Sequence, residues 1–458
     1  MVQPVSDHPA VDKYARHINP AFVKLLGAFG YGRVFVRATG ARMWDHEGRE
    51  YLDFLAGFGA HNLGHNHPLL REKMREFLLD DVPNLVHVGP PVHAAELAEQ
   101  LAQRAGPLTS CLLSCTGSDA VEAALKLARA ATGKKTLIHC QNGYHGLNLG
   151  TLSVDGVARM RELFEPLLPA CEQVPFGDLA ALERILSKRN TAAFLVEPIQ
   201  AEGGMVVPPS GYLRAAHDLC RKYGALFILD EVQTGLGRTG SLFACESEGF
   251  FPDVLVLGKA LGAGMTAISA TLTTPDLQKR AFGTMERFDL HGSTYAGNSF
   301  SCRTASAVLQ IIDGEKLSEA SKTKGTRLLQ KLQGRLSGHP LVREIRGRGL
   351  FVGIELGPTE KGGLLHRALP GVVEAVSKHI FGQWLAVRLL EEGVVAQPAS
   401  QQWNVLKLEP PLTVTDEEID TVVEKIGGLL DQYREVGPIV RDATERLGKQ
   451  ALGGWRFG

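Results

Sequence analysis

ALFILDEVQTGLGRTG, residues 225–240, begins with five apolar side chains and then turns acidic at Asp230 and Glu231. An apolar run this short, closed by turn residues, reads as a strand buried on both faces, the habit of a parallel sheet. Two other stretches repeat the form: AAFLVEP at 192–198 ends on Glu197, and DVLVLGK at 253–259 ends on Lys259. Helix patterns such as VHAAELAEQLAQRAG (92–106) and further strand candidates, CLLSC (111–115) and TLIHC (136–140), alternate with them. That rhythm predicts an α/β fold with a mainly parallel sheet. Open sheets of this kind bind ligands beyond the carboxyl ends of their strands. Asp230, Lys259 and Glu197, with Gln200 and Glu202 just behind it, are therefore expected at one edge.

Outward from this region the pattern changes. Residues 33–58 alternate apolar stretches with turn signals at Thr39-Gly40 and Asp45 to Gly48, which predicts a small antiparallel meander. After about residue 330 come GLFVGIEL and NVLKLEP, then a helix opening at Thr415 with Glu418 at capping-box spacing. The expected organisation is a large domain over 88–330 and a smaller α+β domain. The smaller one is assembled from 1–87, with its N-terminal segment, and 331–458. No linker or repeat separates them, and the closing GGWRFG reads as a loose or docked tail.

The chain has 458 residues, with 49 Lys+Arg against 50 Asp+Glu, so it lacks the basic surplus that marks nucleic-acid or anionic-membrane partners. With 44% hydrophobic and 22% charged residues it is an ordinary globular composition, long enough for more than one core. Apolar runs fall far short of the roughly 18 residues of a membrane span, and the opening MVQPVSDHPAVDKYARHINP lacks the pattern of an export signal. A cytoplasmic location is the expectation. Seven scattered cysteines read as reduced thiols, and Cys111 and Cys115 as buried structural residues rather than half of a metal site.

Several segments offer chemistry. In SCTGSDAVEAALKLARA (114–130) a strand stops at Thr116-Gly117-Ser118 and a helix begins, so unpaired N–H groups and a positive dipole end suit a phosphate, though strand-Gly-helix turns are common. Gly235, Gly237 and Gly240 have GxGxxG spacing, yet the residues after them make a poor helix for a dinucleotide fold. Asp230 at a strand end can serve a cationic ring nitrogen. Lys259, wedged between Gly258 and the turn ALGAG, is removed from water, which favours the neutral amine that Schiff-base chemistry requires. RFDLHGSTYAGNSF (287–300) supplies spare hydroxyl and amide donors that suit a phosphate or an ordinary polar loop. His61, His65 and His67 mimic a metal spacing, but Gly64 and Pro68 break the helix that would align them, so they read as loop and packing histidines.

Taken in order, TGSDAVEAALKLAR, NGYHG, EPIQAEGG, DEVQTGLGRTG, GKALGAG and HGSTYAGN resemble the class III pyridoxal-phosphate aminotransferases, with the likeness running over nearly the whole chain. The resemblance is strongest to the ornithine and putrescine types. It implies a fold type I architecture with a seven-stranded sheet and residues 88–330 as the domain that binds pyridoxal 5'-phosphate. It makes Lys259 the lysine that forms the Schiff base and shuttles the proton, and Asp230 the partner of the pyridine nitrogen. It assigns Tyr144 and Val232 to opposite faces of the ring, Gln233 to the phenolic oxygen, Gly117 and Ser118 to the phosphate, and Glu197 to the cofactor site. Thr294 matches a residue that reaches the phosphate of a neighbouring subunit, which implies a homodimer with shared sites.

The departures concern substrate. Ornithine-type enzymes pair a glutamate, here Glu202, with an arginine in a late R-x-x-P-P segment, and here VLKLEPPL places Lys407 at that position. Lysine lacks arginine's planar two-pronged hydrogen bonding. Phe58 in AGFGAHN replaces an aromatic hydroxyl and makes the donor pocket more apolar. The expected activity is ping-pong transfer of an amino group from a diamine, an ω-amino acid or a longer amine to a 2-oxo acid or aldehyde. An aminomutase or racemase on the same scaffold, or from another class a nicotinamide-dependent dehydrogenase, are the alternatives.

Overall fold

The computed structural model describes residues 6–29, 31–359 and 370–452, so the GGWRFG tail lies outside the described residues. The central sheet has seven strands in the order Ser110–Ser114, Ser269–Thr273, Val254–Leu257, Leu226–Asp230, Thr191–Val196, Thr136–Cys140, Cys171–Val174. The last five pair in parallel; four of them were expected from their apolar runs, and Cys171–Val174, with the sequence CEQV, was not read as a strand. Ser269–Thr273 runs antiparallel to both neighbours and was not legible as a strand. Every second residue in it is polar, yet all are buried because backbone carbonyls satisfy them. Ser269 Oγ donates to Thr116 O at 2.6 Å, Thr271 Oγ1 to Ala120 O at 2.7 Å and Thr273 Oγ1 to Asp253 O at 3.0 Å. Two of these bonds tie the strand to the opening of the helix Gly117–Thr132.

Alternation along the buried strands divides the core between the two faces of the sheet. Phe194, Val196, Phe227, Leu229, Leu255 and Leu257 belong to one cluster. Ala193, Leu195, Leu226, Ile228, Val254 and Val256 belong to the other, with Val121, Ala124, Leu125 and Ala128 of the Gly117–Thr132 helix. Pairing places Val196 opposite Leu229 and Asp230 opposite Val256. The strand ends that lead into Glu197, Asp230 and Lys259 therefore lie side by side.

The structure has two further sheets, each of four strands. The expected meander is present as Phe35–Thr39, Arg42–Asp45 and Glu50–Asp53, and Val394–Val395 joins its edge in parallel. Sequence-distant chain thus completes it. The other sheet orders Val342–Arg348, Phe351–Leu356, Val405–Leu408 and Gln397–Pro398, all antiparallel. After it, the helix Asp416–Asp431 opens with the capping box read from the sequence: Glu418 N donates to Thr415 Oγ1 at 3.2 Å and Thr415 N to Glu418 Oε2 at 3.0 Å. Among the described residues, no helix is long and apolar enough to cross a membrane.

Phe227 is fully buried and meets Phe194, His217 and Phe250 edge-on or tilted. Phe227→Ala is expected to cost about 3–5 kcal/mol, read as a lower denaturant midpoint; an unchanged midpoint would contradict this placement of the core.

Candidate active site

The parallel strands bring their charged ends together as the sequence suggested. Asp230, the last residue of its strand, is buried and accepts from Val232 N at 3.0 Å through Oδ1. Its Oδ2 lies 2.7 Å from His145 Nδ1. His145 comes from NGYHG, and its role was not read from the sequence. Burial works against its charge, but the contact with Asp230, together with the nearby Glu197 and Asp155, raises its pKa. The imidazole thereby orients the carboxylate and keeps positive charge beside it. A histidine following Tyr144 in a loop beyond a sheet strand was the available signal, but nothing in one sequence shows which carboxylate it faces.

Lys259 begins a short 3₁₀ turn with φ 42, a left-handed backbone that an L side chain seldom adopts. Its Nζ donates to Gln233 Oε1, and Gln233 Nε2 donates to Glu409 Oε2 at 2.8 Å. Burial lowers the ammonium's pKa, with Glu409 and Glu202 opposing that shift. The amine is thus biased toward its neutral, nucleophilic form.

Facing these groups is the start of the Gly117–Thr132 helix. Thr116 and Asp119 cap each other, Asp119 N donating to Thr116 Oγ1 at 3.2 Å and Thr116 N to Asp119 Oδ2 at 3.0 Å. Gly117 N–H and Ser118 N–H have no acceptor among the described residues, which leaves two donors at the positive end of the dipole. A Cβ on Gly117 would stand 2.8 Å from Val232 Cγ1, and one on Gly258 would stand 3.2 Å from the same atom. Val232 therefore forms a shelf where the helix start, the Asp230 loop and the Lys259 turn meet. Tyr144, partly buried, is held by its N–H donating to Glu197 Oε1 at 2.9 Å.

A second group of charges adjoins Lys259. Lys407 is fully buried on Val405–Leu408 and forms ion pairs with Glu202 and, at 3.3 Å, with Glu409 Oε1. The Phe58 ring centroid lies 5.0 Å from Lys407 Nζ. Phe58 belongs to a left-handed turn in which Ala56, Gly57, Phe58 and Gly59 have φ of 47°, 60°, 58° and 76°. Glu409 was missed in the sequence. It lies two residues beyond Lys407, and strand periodicity puts such residues on one face.

Thr294 stands apart, exposed in a loop whose Ser293 Oγ is 3.8 Å from Cys115 Sγ. Cys111 and Cys115, expected to be buried, are partly exposed at the edge strand of the sheet, Cys111 packing against the core and Cys115 lying beside this loop. Gly235, Gly237 and Gly240 close successive turns, and a 3₁₀ helix, Ala244–Glu248, follows in place of the α-helix a dinucleotide fold needs. Glu231 folds that segment back, accepting from Ala244 N at 2.6 Å and Cys245 N at 2.9 Å. His65 Nε2 is 2.8 Å from Asp53 and His67 Nε2 is 3.2 Å from Glu315, contacts of packing histidines.

Comparison with known proteins follows the same outline. The family profile described as "Aminotransferase class-III" matches residues 29–430. The chain is 36% identical over 453 residues to the aminotransferase PigE of a Serratia species, covering 92% of this chain and 53% of that protein. It thus spans about half the length of that relative. It is 37% identical over 396 residues to the acetylornithine aminotransferase of Bacillus cereus, covering 86% and 94%. Among solved structures, an ornithine aminotransferase from Toxoplasma gondii, with partial occupancy of PLP at its active site, superposes with a TM-score of 0.78. Its identity is 33%, over 87% of this chain and 90% of that one.

Burial pushes the Glu197 carboxyl up to about 7, with His145 and the two backbone donors working the other way. A raised acid keeps its proton in the folded chain after the unfolded chain has released it. Its stabilising contribution is complete below the ordinary carboxylate range and lost as pH rises through about 7. Glu197→Gln removes this ionisation, so its thermal midpoint is expected to decline less than the wild type's between about pH 5 and about pH 8; parallel profiles would contradict it.

Proposed function

The chain belongs to the class-III aminotransferase family, and from that premise we propose that it moves an amino group from a terminal amine, a diamine or ω-amino acid, to a 2-oxo acid or aldehyde by a ping-pong mechanism. The observation that carries this reading is the convergence of Asp230 and Lys259 at adjacent strand ends, one paired with His145 and the other a buried amine of lowered pKa.

The residues present fit pyridoxal 5'-phosphate. Gly117 N–H and Ser118 N–H would hold its phosphate, close to a backbone that no Cβ could share with Val232. Asp230 would hold its ring nitrogen, Tyr144 and Val232 would flank the ring, and Gln233 would reach its phenolic oxygen. When bound, this cofactor supplies an aldehyde that condenses with amines and a cationic ring that accepts the electron pair of a broken C–H bond. The protein supplies the rest. Asp230, backed by His145, keeps a proton on the ring nitrogen. Lys259 Nζ, uncharged, is the base that takes the proton from the carbon bearing the donor's nitrogen. Glu197 fixes the backbone of Tyr144, and Phe58 limits water over the pocket.

The proposal extends to a homodimer in which Thr294 reaches a neighbouring subunit's phosphate. Its support is that Thr294 is exposed and flanked by exposed Met285, Phe288, Leu290 and Tyr295, an apolar surface of the kind that association covers.

Lys259→Ala is expected to lose about 10⁴-fold or more in turnover while still binding the cofactor. In the wild type, borohydride should bleach the yellow colour and leave the added mass on the peptide bearing Lys259. An adduct on another residue would overturn the assignment. With putrescine, ornithine and 4-aminobutyrate as donors, turnover is expected on at least one, and reaction only with ordinary α-amino acids would refute the terminal-amine reading.

A further inference from the structure

Glu202, Lys407, Glu409, Gln233 and Lys259 form one continuous chain of polar contacts. Its central ammonium is enclosed between carboxylates. Lys407 has three N–H donors, and it has Glu202 and Glu409 as ionic partners and the Phe58 ring face as a third contact. Both carboxylates are themselves anchored. Glu202 Oε2 accepts from Ser400 N at 2.8 Å, and Glu409 Oε2 accepts from Gln233 Nε2 at 2.8 Å. The backbone of Glu409 is fixed as well, its N–H donating to Phe54 O at 2.7 Å.

Two carboxylates face the one lysine at the centre of the cluster, and the buried Arg238 guanidinium balances Glu409 from its other side. Burial disfavours the charges of Lys407 and Glu202, yet Glu409 and Glu202 raise the Lys407 pKa, and Lys407 holds Glu202 down at about 2. The ions are therefore mutually locked. A substrate carboxylate entering here would be the third to face Lys407 and would have to compete with Glu202 and Glu409 for it, and buried like charges repel strongly.

Resting on the transaminase reading above, we propose that Glu409 is a specificity-determining residue that withholds Lys407 from carboxylates, so that the acceptor is an aldehyde or simple ketone and not a 2-oxo acid. Glu409 acts through Lys407 and is a positioning residue. An aldehyde brings no charge to the pocket, and the apolar Phe58 beside it suits an alkyl chain.

The test uses the amine-loaded holoenzyme and two acceptors sharing a butyl chain, pentanal and 2-oxohexanoate, which differ by a carboxylate in place of hydrogen. Wild type is expected to favour pentanal in kcat/KM by about tenfold or more. Glu409→Gln removes one of the two carboxylates that hold Lys407 and should shift the ratio of the two kcat/KM values toward 2-oxohexanoate by about tenfold or more. A loss of packing alone would lower both rates and leave their ratio unmoved. If Glu409→Gln fails to fold, Glu202→Gln should shift the ratio in the same direction. Equal or better use of 2-oxohexanoate by wild type, or an unmoved ratio in the folded variant, would overturn the proposal while leaving transamination intact. Turnover of neither acceptor, with cofactor trapped on Lys259, would overturn the transaminase reading and this inference with it.

Discussion

The register between Leu226–Asp230 and Val254–Leu257, with Asp230 opposite Val256, governs the separation of the site's two principal charges. Both strands are wholly buried, so their alternating side chains commit to one cluster or the other across the sheet. A slip of one residue would exchange the faces of Phe227 and Ile228 and carry Asp230 away from His145. The packing of the core thus holds the positions of groups that are themselves costly to bury.

That cost is visible throughout the edge of the sheet. Burial pushes Glu197 and Glu231 up to about 7 and lowers Lys259. Each group has close partners: backbone donors for Glu197 and Glu231, His145 for Asp230, two carboxylates for Lys407. Buried ion pairs contribute little net stability, but removal of one partner is expensive. Such clusters hold geometry, and the left-handed backbone at Lys259 and over Ala56 to Gly59 lies against them. Strain and buried charge together in one region are the mark of a site shaped for chemistry.

Legibility varied from element to element for physical reasons. The strands over 192–196, 226–230 and 254–257 were readable because parallel strands covered on both faces leave continuous apolar runs. Thr415 and Glu418 were readable because a capping box is local. Ser269–Thr273 was not, since its polar residues are satisfied by carbonyls from Thr116, Ala120 and Asp253, none adjacent in sequence. His145 and Glu409 stood inside quoted motifs, but the partner of His145, Asp230, lies 85 residues away and is brought to it by folding, while Glu409, two residues beyond Lys407, was open to a reading by periodicity.

The amino-acid sequence by itself determined which chemistry was available: an acid and an amine at strand ends, a glycine-opened helix, and a lysine at the position of an expected arginine. Those facts depend on residue type and short-range periodicity, and a chain carries both locally. Tertiary structure alone decided which charges face which. Whether Lys407 is a free cation or one shared by Glu202 and Glu409 depends on segments some two hundred residues apart meeting where all three side chains are buried, and there proximity and burial, not composition, fix the balance of charge.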